Sequence, residues 1–139
     1  MPNFYAAAKR HFDDGDHLNA TSRVPSAVQL WAYGAECTLK AIAQKQGHFS
    51  LTATGKPTSG FDIHLDKLDA VNQQRLLSLY NAKQTGPNAI VGPSSAFPAW
   101  TIAARYEDGG QLQPVSFYSG DVAIFRSMLV SALAQGLLP

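Results

Sequence analysis

From Ala27 to Ala43 only Gln29, Glu36, Thr38 and Lys40 are clearly polar. A helix that is apolar around nearly its whole circumference must be covered on almost every side. The run therefore demands a core helix with other elements packed around it. Val24-Pro25-Ser26 supplies its start, because proline is tolerated in a first helical turn, and Gly47 supplies its stop just after Gln46. Charged residues make up 15% of the chain, where about 25% is usual. That shortage places apolar surface on the core helix and on the Ala-rich stretch before Arg105-Tyr106, and points to a subunit interface that would cover it.

The remaining segments arrange themselves around this helix. Eight of eleven glycines and five of eight prolines fall in 47–60, 83–99 and 107–120, which are the expected loops. A first helix is expected from Pro2 to about Asn19, with Phe4, Ala8, His11, Phe12 and Leu18 on one face and Asp14-Gly15-Asp16 weakening its end. A third runs from Ile63 to about Ala82, its period broken near Asp69. A final helix runs from Gly120 to Leu138, buries Val122, Phe125, Leu129, Ala132 and Leu133, and has Ser119 or Asp121 as its candidate cap. The connection 83–119 is too long to be structureless in a compact domain. Within it Ala99–Glu107 reads as a short docking helix, and Gln113–Tyr118 is the one β-like run, confined by Pro114 to an edge or an extended loop. The fold expected is all-α, an up-and-down bundle of four to five helices over residues 1–139 as one domain, with a long, partly ordered connection before the last helix.

A chain of 139 residues buries roughly 65–70% of its unfolded surface and needs no metal or disulfide staple. A net charge of +1 creates no global field for nucleic acid or an anionic membrane, so any such binding relies on a local patch. The single cysteine, Cys37, excludes an internal disulfide and a four-ligand zinc finger. No signal-peptide pattern opens the sequence and no apolar run reaches the roughly 18 residues of a membrane span. A cytoplasmic, reducing setting without membrane contact is expected.

Chemistry-bearing residues are few. Gln29, Tyr33, Glu36 and Lys40 stand at i, i+4, i+7 and i+11 of the core helix, on one stripe. One reading is a solvent-facing strip with Glu36 and Lys40 as an i, i+4 pair. The other makes Glu36 a partly buried acid lining a pocket or interface, anchored by a cation from elsewhere, with Arg105 as the fork and Trp100 or Tyr106 beside it. Among the histidines, His11 falls on the apolar face of the first helix as a core residue, and His17 and His48 fall near exposed helix ends. His64 opens the third helix, with Asp62 or Asp66 as its hydrogen-bond partner. Asp13, Asp14, Asp16 and His17 project to different sides of a helix end and make no converging metal site. Cys37 sits among Ala, Thr and Leu as an inert thiol. Phosphate-binding loops, dinucleotide fingerprints, nucleophile elbows and zincin helices are absent, and no cofactor is implied.

Three pieces, in order, resemble a known family. Ala27-Val28-Gln29-Leu30-Trp31-Ala32-Tyr33-Gly34-Ala35-Glu36-Cys37-Thr38-Leu39-Lys40-Ala41 resembles the second helix of HEPN-type domains, the higher-eukaryote and prokaryote nucleotide-binding helical bundles. Ile63-His64-Leu65-Asp66-Lys67-Leu68 resembles the family's short "H…L" helix opening, and Phe97-Pro98-Ala99-Trp100-Thr101-Ile102-Ala103-Ala104-Arg105-Tyr106 resembles the "W…RY" segment of an uncharacterised bacterial branch. The first helix, with Ala8-Lys9-Arg10-His11 and Leu18, also fits that branch. The resemblance spans about residues 4–137, and its most specific stretch is Glu36-Cys37 with Leu39-Lys40.

The resemblance implies a helical bundle, often dimeric, from a superfamily with metal-independent ribonucleases of toxin–antitoxin and antiviral systems and with non-catalytic RNA- or nucleotide-binding members. Ribonuclease members carry an Arg, four to six variable residues and a His near a C-terminal helix. Here Arg126 stands in the last helix and no histidine follows His64. Arg10 and His17 meet the spacing only on the first helix, with Gly15 between them. The expectation is therefore a non-catalytic HEPN-like module that binds RNA, a nucleotide or a protein partner as a homodimer, through Glu36, Lys40, His64, Trp100, Arg105 and Tyr106. The alternative is a metal-independent ribonuclease using a non-standard pair, Arg10 with His17 or Arg105 with His64. A third reading is an interaction protein that pairs with a nucleotidyltransferase or an antitoxin.

Overall fold

A computed structural model describes residues 1–64, 69, 71–72, 115–134 and 136. Among these residues lie three helices and no strand: α1 (Phe4–Ala20), α2 (Val24–Lys45) and α3 (Val115–Ala134). The described part is helical, as the sequence predicts. Most of the third helical region to Ala82 and the expected short helix Ala99–Glu107 lie outside the described residues. No helix among the described residues is long and apolar enough to cross a membrane.

α1 starts one cap later than expected. The Asn3 side chain accepts a hydrogen bond from the Ala6 N–H at 3.0 Å, satisfying one of the helix's orphan donors, so Pro2 stands outside the helix. α1 and α2 end alike. Arg23 N–H donates to Leu18 O at 2.8 Å and Ser22 N–H to Asn19 O at 3.0 Å; His48 N–H donates to Ala43 O at 2.9 Å and Gly47 N–H to Gln44 O at 3.0 Å. This pairing needs a residue in the left-handed region, filled by Gly47 at φ 82° and by Ser22 at φ 62°. Glycine announces the second stop in the sequence, whereas serine gives no such signal for the first.

Asp14-Gly15-Asp16 does not weaken α1, which continues through it to Ala20. Gly15 is buried because α2 passes close by. A Cβ at Gly15 would lie 2.6 Å from Trp31 Nε1 and 3.2 Å from the Ala27 carbonyl oxygen, and one at Gly34 would lie 2.6 Å from the Phe12 ring. The two glycines, one on each helix, let α1 and α2 close around Phe12 and Trp31, both fully or nearly fully buried. Asp16 accepts from Trp31 Nε1 at 3.0 Å, so the indole's polar edge is satisfied at the same crossing.

α2 is the core helix. Only Ser26 and Lys45 along it are exposed, with cover supplied within the chain by α1 and α3. α3 begins at Val115, ahead of the expected Gly120, and takes in Val115–Tyr118 of the run read as extended. Burial of Tyr118 overrides the β preference of these residues, which reflects packing context more than backbone. Asp121 therefore lies inside the helix and is buried, where a cap had been expected. Val122, Phe125, Leu129 and Ala132 are buried as expected, together with Ile124 and Met128, but Leu133 is 44% exposed.

After Gly47 the chain folds back on the two N-terminal helices. Phe49 stacks on Phe61 with centroids 4.7 Å apart, and Phe4 of α1 meets Phe49 edge-on at 6.0 Å. The buried Phe61 ring pins residues 61–64, which form a turn rather than the opening of a helix. Asp69 accepts from the Asn72 N–H at 2.9 Å, the bond of a helix N-cap, and Val71–Asn72 are helical. The helix expected to open at Ile63 does not open within residues 61–64, and a described cap lies at Asp69.

Candidate functional site

The stripe on α2 is not a solvent-facing strip. Glu36 keeps 14% of its side-chain surface and Lys40 only 6%, and each carboxylate oxygen has a nitrogen partner. Lys40 Nζ donates to Glu36 Oε1 at 2.8 Å, while His64 Nδ1 lies 3.1 Å from Glu36 Oε2. Lys40 also donates to the Ile63 carbonyl at 2.7 Å. That bond and the Phe61 plug fix the backbone on both sides of Asp62 and deliver His64 to the carboxylate from 28 residues away in sequence. An uncompensated charge this far from water is costly, so the pair and its carbonyl act together.

Aromatic rings complete the arrangement. Tyr33, one turn before Glu36, stacks on His64 with centroids 5.8 Å apart and planes at 29°. His11 of α1 approaches Tyr33 at 5.6 Å and 52°. The order is His11, Tyr33, His64, with Glu36 beneath the last ring's Nδ1 edge. An ionised carboxylate only accepts, so Nδ1 of His64 carries the hydrogen and Nε2 of the neutral ring presents a lone pair. The His64 side chain is 46% exposed.

Burial holds His11 below its ordinary histidine value, and the neighbouring Arg10 guanidinium pushes the same way. Its Nδ1 is buried with no hydrogen-bond partner among the described residues, as is Oε1 of Gln29. Burial raises the Cys37 thiol to about 11, with the Glu36 carboxylate adding to the shift, which leaves a protonated, weakly nucleophilic sulfur. Asp62 does not serve His64. It pairs with Lys56 at 3.0 Å and is held below the usual carboxylate range by that hydrogen bond.

Of the residues singled out from the sequence, Glu36, Lys40 and His64 come together. Trp100, Arg105 and Tyr106, and Asp66 as a partner of His64, lie outside the described residues. Arg10 and His17 are both exposed on α1, with no hydrogen bond or ion pair between them among the described residues. Two of the acidic residues, Asp13 and Asp16, meet on a guanidinium: Arg126 of α3 donates to Asp13 at 3.1 Å and to Asp16 at 2.6 Å, and lies 5.2 Å from the Phe12 ring. No group of three or more possible metal ligands occurs among the described residues. Tyr33 and His11 were not expected in the site. Tyr33 was legible as part of the α2 stripe, whereas His11 reaches it only through the α1–α2 crossing.

Comparison of the chain with protein-family models, with curated proteins and with solved structures found no match to any of them.

Proposed function

We propose that the chain is a HEPN-like module of four to five helices that binds single-stranded RNA or a nucleotide in a cytoplasmic setting, as a homodimer. The observation that carries this reading is the clamp on Glu36. A partly buried carboxylate, paired with Lys40, holds a half-exposed histidine ring against Tyr33 and so offers a fixed aromatic surface, the kind on which unpaired bases stack. The near-neutral net charge favours recognition through stacking and hydrogen bonds over a phosphate-tracking groove. The resemblance of Ala27–Ala41 to a HEPN second helix adds to the reading.

A second reading, a metal-independent ribonuclease, draws on the same hydrogen bond. A carboxylate on Nδ1 orients an imidazole so that Nε2 can take the proton of a ribose 2′-hydroxyl; the 2′-oxygen bonds to the adjacent phosphorus, the phosphorus–5′-oxygen bond breaks, and the imidazolium returns the proton to the departing 5′-oxygen, which leaves a 2′,3′-cyclic phosphate. One experiment separates the two. Labelled single-stranded RNA is incubated with the protein in EDTA, with binding followed by fluorescence anisotropy and integrity by gel. Saturable binding with intact RNA supports the module, cleavage abolished in a His64→Ala protein supports the ribonuclease, and absence of both overturns the proposal. Light scattering tests the dimer, which requires about 30 kDa, twice the chain mass of 14.9 kDa.

A further inference from the structure

Resting on the RNA- or nucleotide-binding reading, we infer that His64 is the residue that tells ribose from deoxyribose: a base stacks on its open face and a ribose 2′-hydroxyl donates a hydrogen bond to its Nε2. Four observations converge on this assignment.

First, one face of the His64 ring is occupied by Tyr33, yet 46% of the side chain is exposed. Among the described residues, with Tyr33 on one face and Glu36 at the Nδ1 edge, the surface left for a ligand is the opposite face and the Nε2 edge. A base laid on that face extends the Tyr33–His64 stack, and brings its ribose to the edge of the ring where Nε2 lies. Second, Glu36 Oε2 holds the Nδ1 edge at 3.1 Å, which fixes the tautomer of the neutral ring. Nε2 is then an acceptor and needs a donor. A phosphate oxygen offers none, whereas a 2′-hydroxyl does, and the 2′-hydroxyl is the group that distinguishes RNA from DNA.

Third, among the described residues the cation beside this site, Lys40, is not free to draw a phosphate to it. Lys40 Nζ is committed to Glu36 at 2.8 Å and to the Ile63 carbonyl at 2.7 Å, with 6% of its side chain exposed. Its charge is spent on the partly buried carboxylate. Fourth, the ring cannot swing away cheaply, because Phe61 is fully buried against Phe49 and Ile63 is tied to Lys40. A preorganised acceptor loses little freedom on binding, which is the condition under which a single hydrogen bond shows in affinity.

The test uses the full chain and three fluorescent single strands of one sequence: RNA, DNA and 2′-O-methyl RNA. The methylated strand keeps ribose pucker but has no 2′ donor, so it separates the hydrogen bond from strand shape. All three strands are measured at one pH, 8. The wild-type protein is expected to bind RNA about five- to tenfold more tightly than either other strand, the effect of one hydrogen bond. His64→Phe, which keeps the stacking face and removes Nε2, is expected to bind all three strands alike, at the level the wild type shows for DNA. Equal binding of RNA and 2′-O-methyl RNA by the wild type overturns the inference while leaving the binding reading intact. An RNA preference that survives in His64→Phe overturns it as well. Failure of the wild type to bind any of the three strands removes the binding reading itself.

Discussion

Replacing Gly15 by alanine sets two opposing effects against each other on one residue. In an open helix interior the change would stabilise by about 1 kcal/mol, since glycine is the weaker helix former. Gly15 is not in the open. The new Cβ would stand 2.6 Å from Trp31 Nε1 and 3.2 Å from the Ala27 carbonyl oxygen, and Ala27 O belongs to the α2 backbone and cannot rotate away. Trp31 is 2% exposed and its Nε1 donates to Asp16 at 3.0 Å, so moving the indole sacrifices packing and a hydrogen bond together. Overpacking of this sort costs about 1–3 kcal/mol and the hydrogen bond about 1 kcal/mol. The sum outweighs the helix-propensity gain and leaves a net destabilisation of about 1–3 kcal/mol. For a domain of this size that lowers the melting temperature by roughly 3–10 °C. Urea and thermal unfolding followed by circular dichroism read it directly. A Gly15→Ala protein as stable as the wild type, or more so, would mean that α1 and α2 do not meet at this point.

Lys40→Met removes the buried ammonium that pairs with Glu36 and the donor to the Ile63 carbonyl. The expected loss is about 3 kcal/mol, partly recovered in a Glu36→Gln/Lys40→Met double variant; a loss under about 0.5 kcal/mol would place the pair in the class of exposed ion pairs. His11 is held below the free value of 6.5 chiefly by burial, so as the pH falls the unfolded chain takes up the proton first. Its stability contribution is intact above about pH 6.5 and is lost below it. Melting temperatures from pH 7.5 to 5.5 are therefore expected to fall less in His11→Phe than in the wild type, and parallel curves would refute the burial of a neutral ring. Cys37, raised to about 11 by burial, is expected to resist iodoacetamide at pH 8 in the folded protein and to react fully in guanidinium; rapid native labelling would contradict its protonated, shielded state.

The core helix was legible because its apolar run is too complete for any other role, and Pro25 and Gly47 bracket it with residues of unambiguous backbone preference. Gly15 misled for a physical reason. In sequence a glycine between two aspartates looks like a helix end, and only the approach of Ala27 and Trp31 from another helix turns it into a packing requirement. The same limit governs α3. Val115–Tyr118 carries strand-like residues, and the burial that makes it helical is a property of the assembled core. Of the site, the Tyr33, Glu36 and Lys40 stripe follows from helical spacing, and Glu36 was expected to hold a cation from elsewhere. Its partners among the described residues are Lys40 and His64. His64 was brought there by the Phe49–Phe61 stack and the Lys40–Ile63 bond, neither of which has a local signature in the sequence. Arg126 binds Asp13 and Asp16 across 113 and 110 residues, a separation over which periodicity says nothing.

Nuclear magnetic resonance of the labelled protein tests the central claim, that the clamp on Glu36 makes His64 and Tyr33 the ligand face. Side-chain imidazole spectra of the free protein at pH 8 are expected to show His64 with its hydrogen on Nδ1. Titration with a short single-stranded RNA is expected to shift the His64 ring and the Tyr33 and Glu36 amides first and furthest, with the Arg126–Asp13–Asp16 face unchanged. A His64 ring protonated on Nε2 in the free protein, or RNA-induced shifts centred away from these residues, would contradict it.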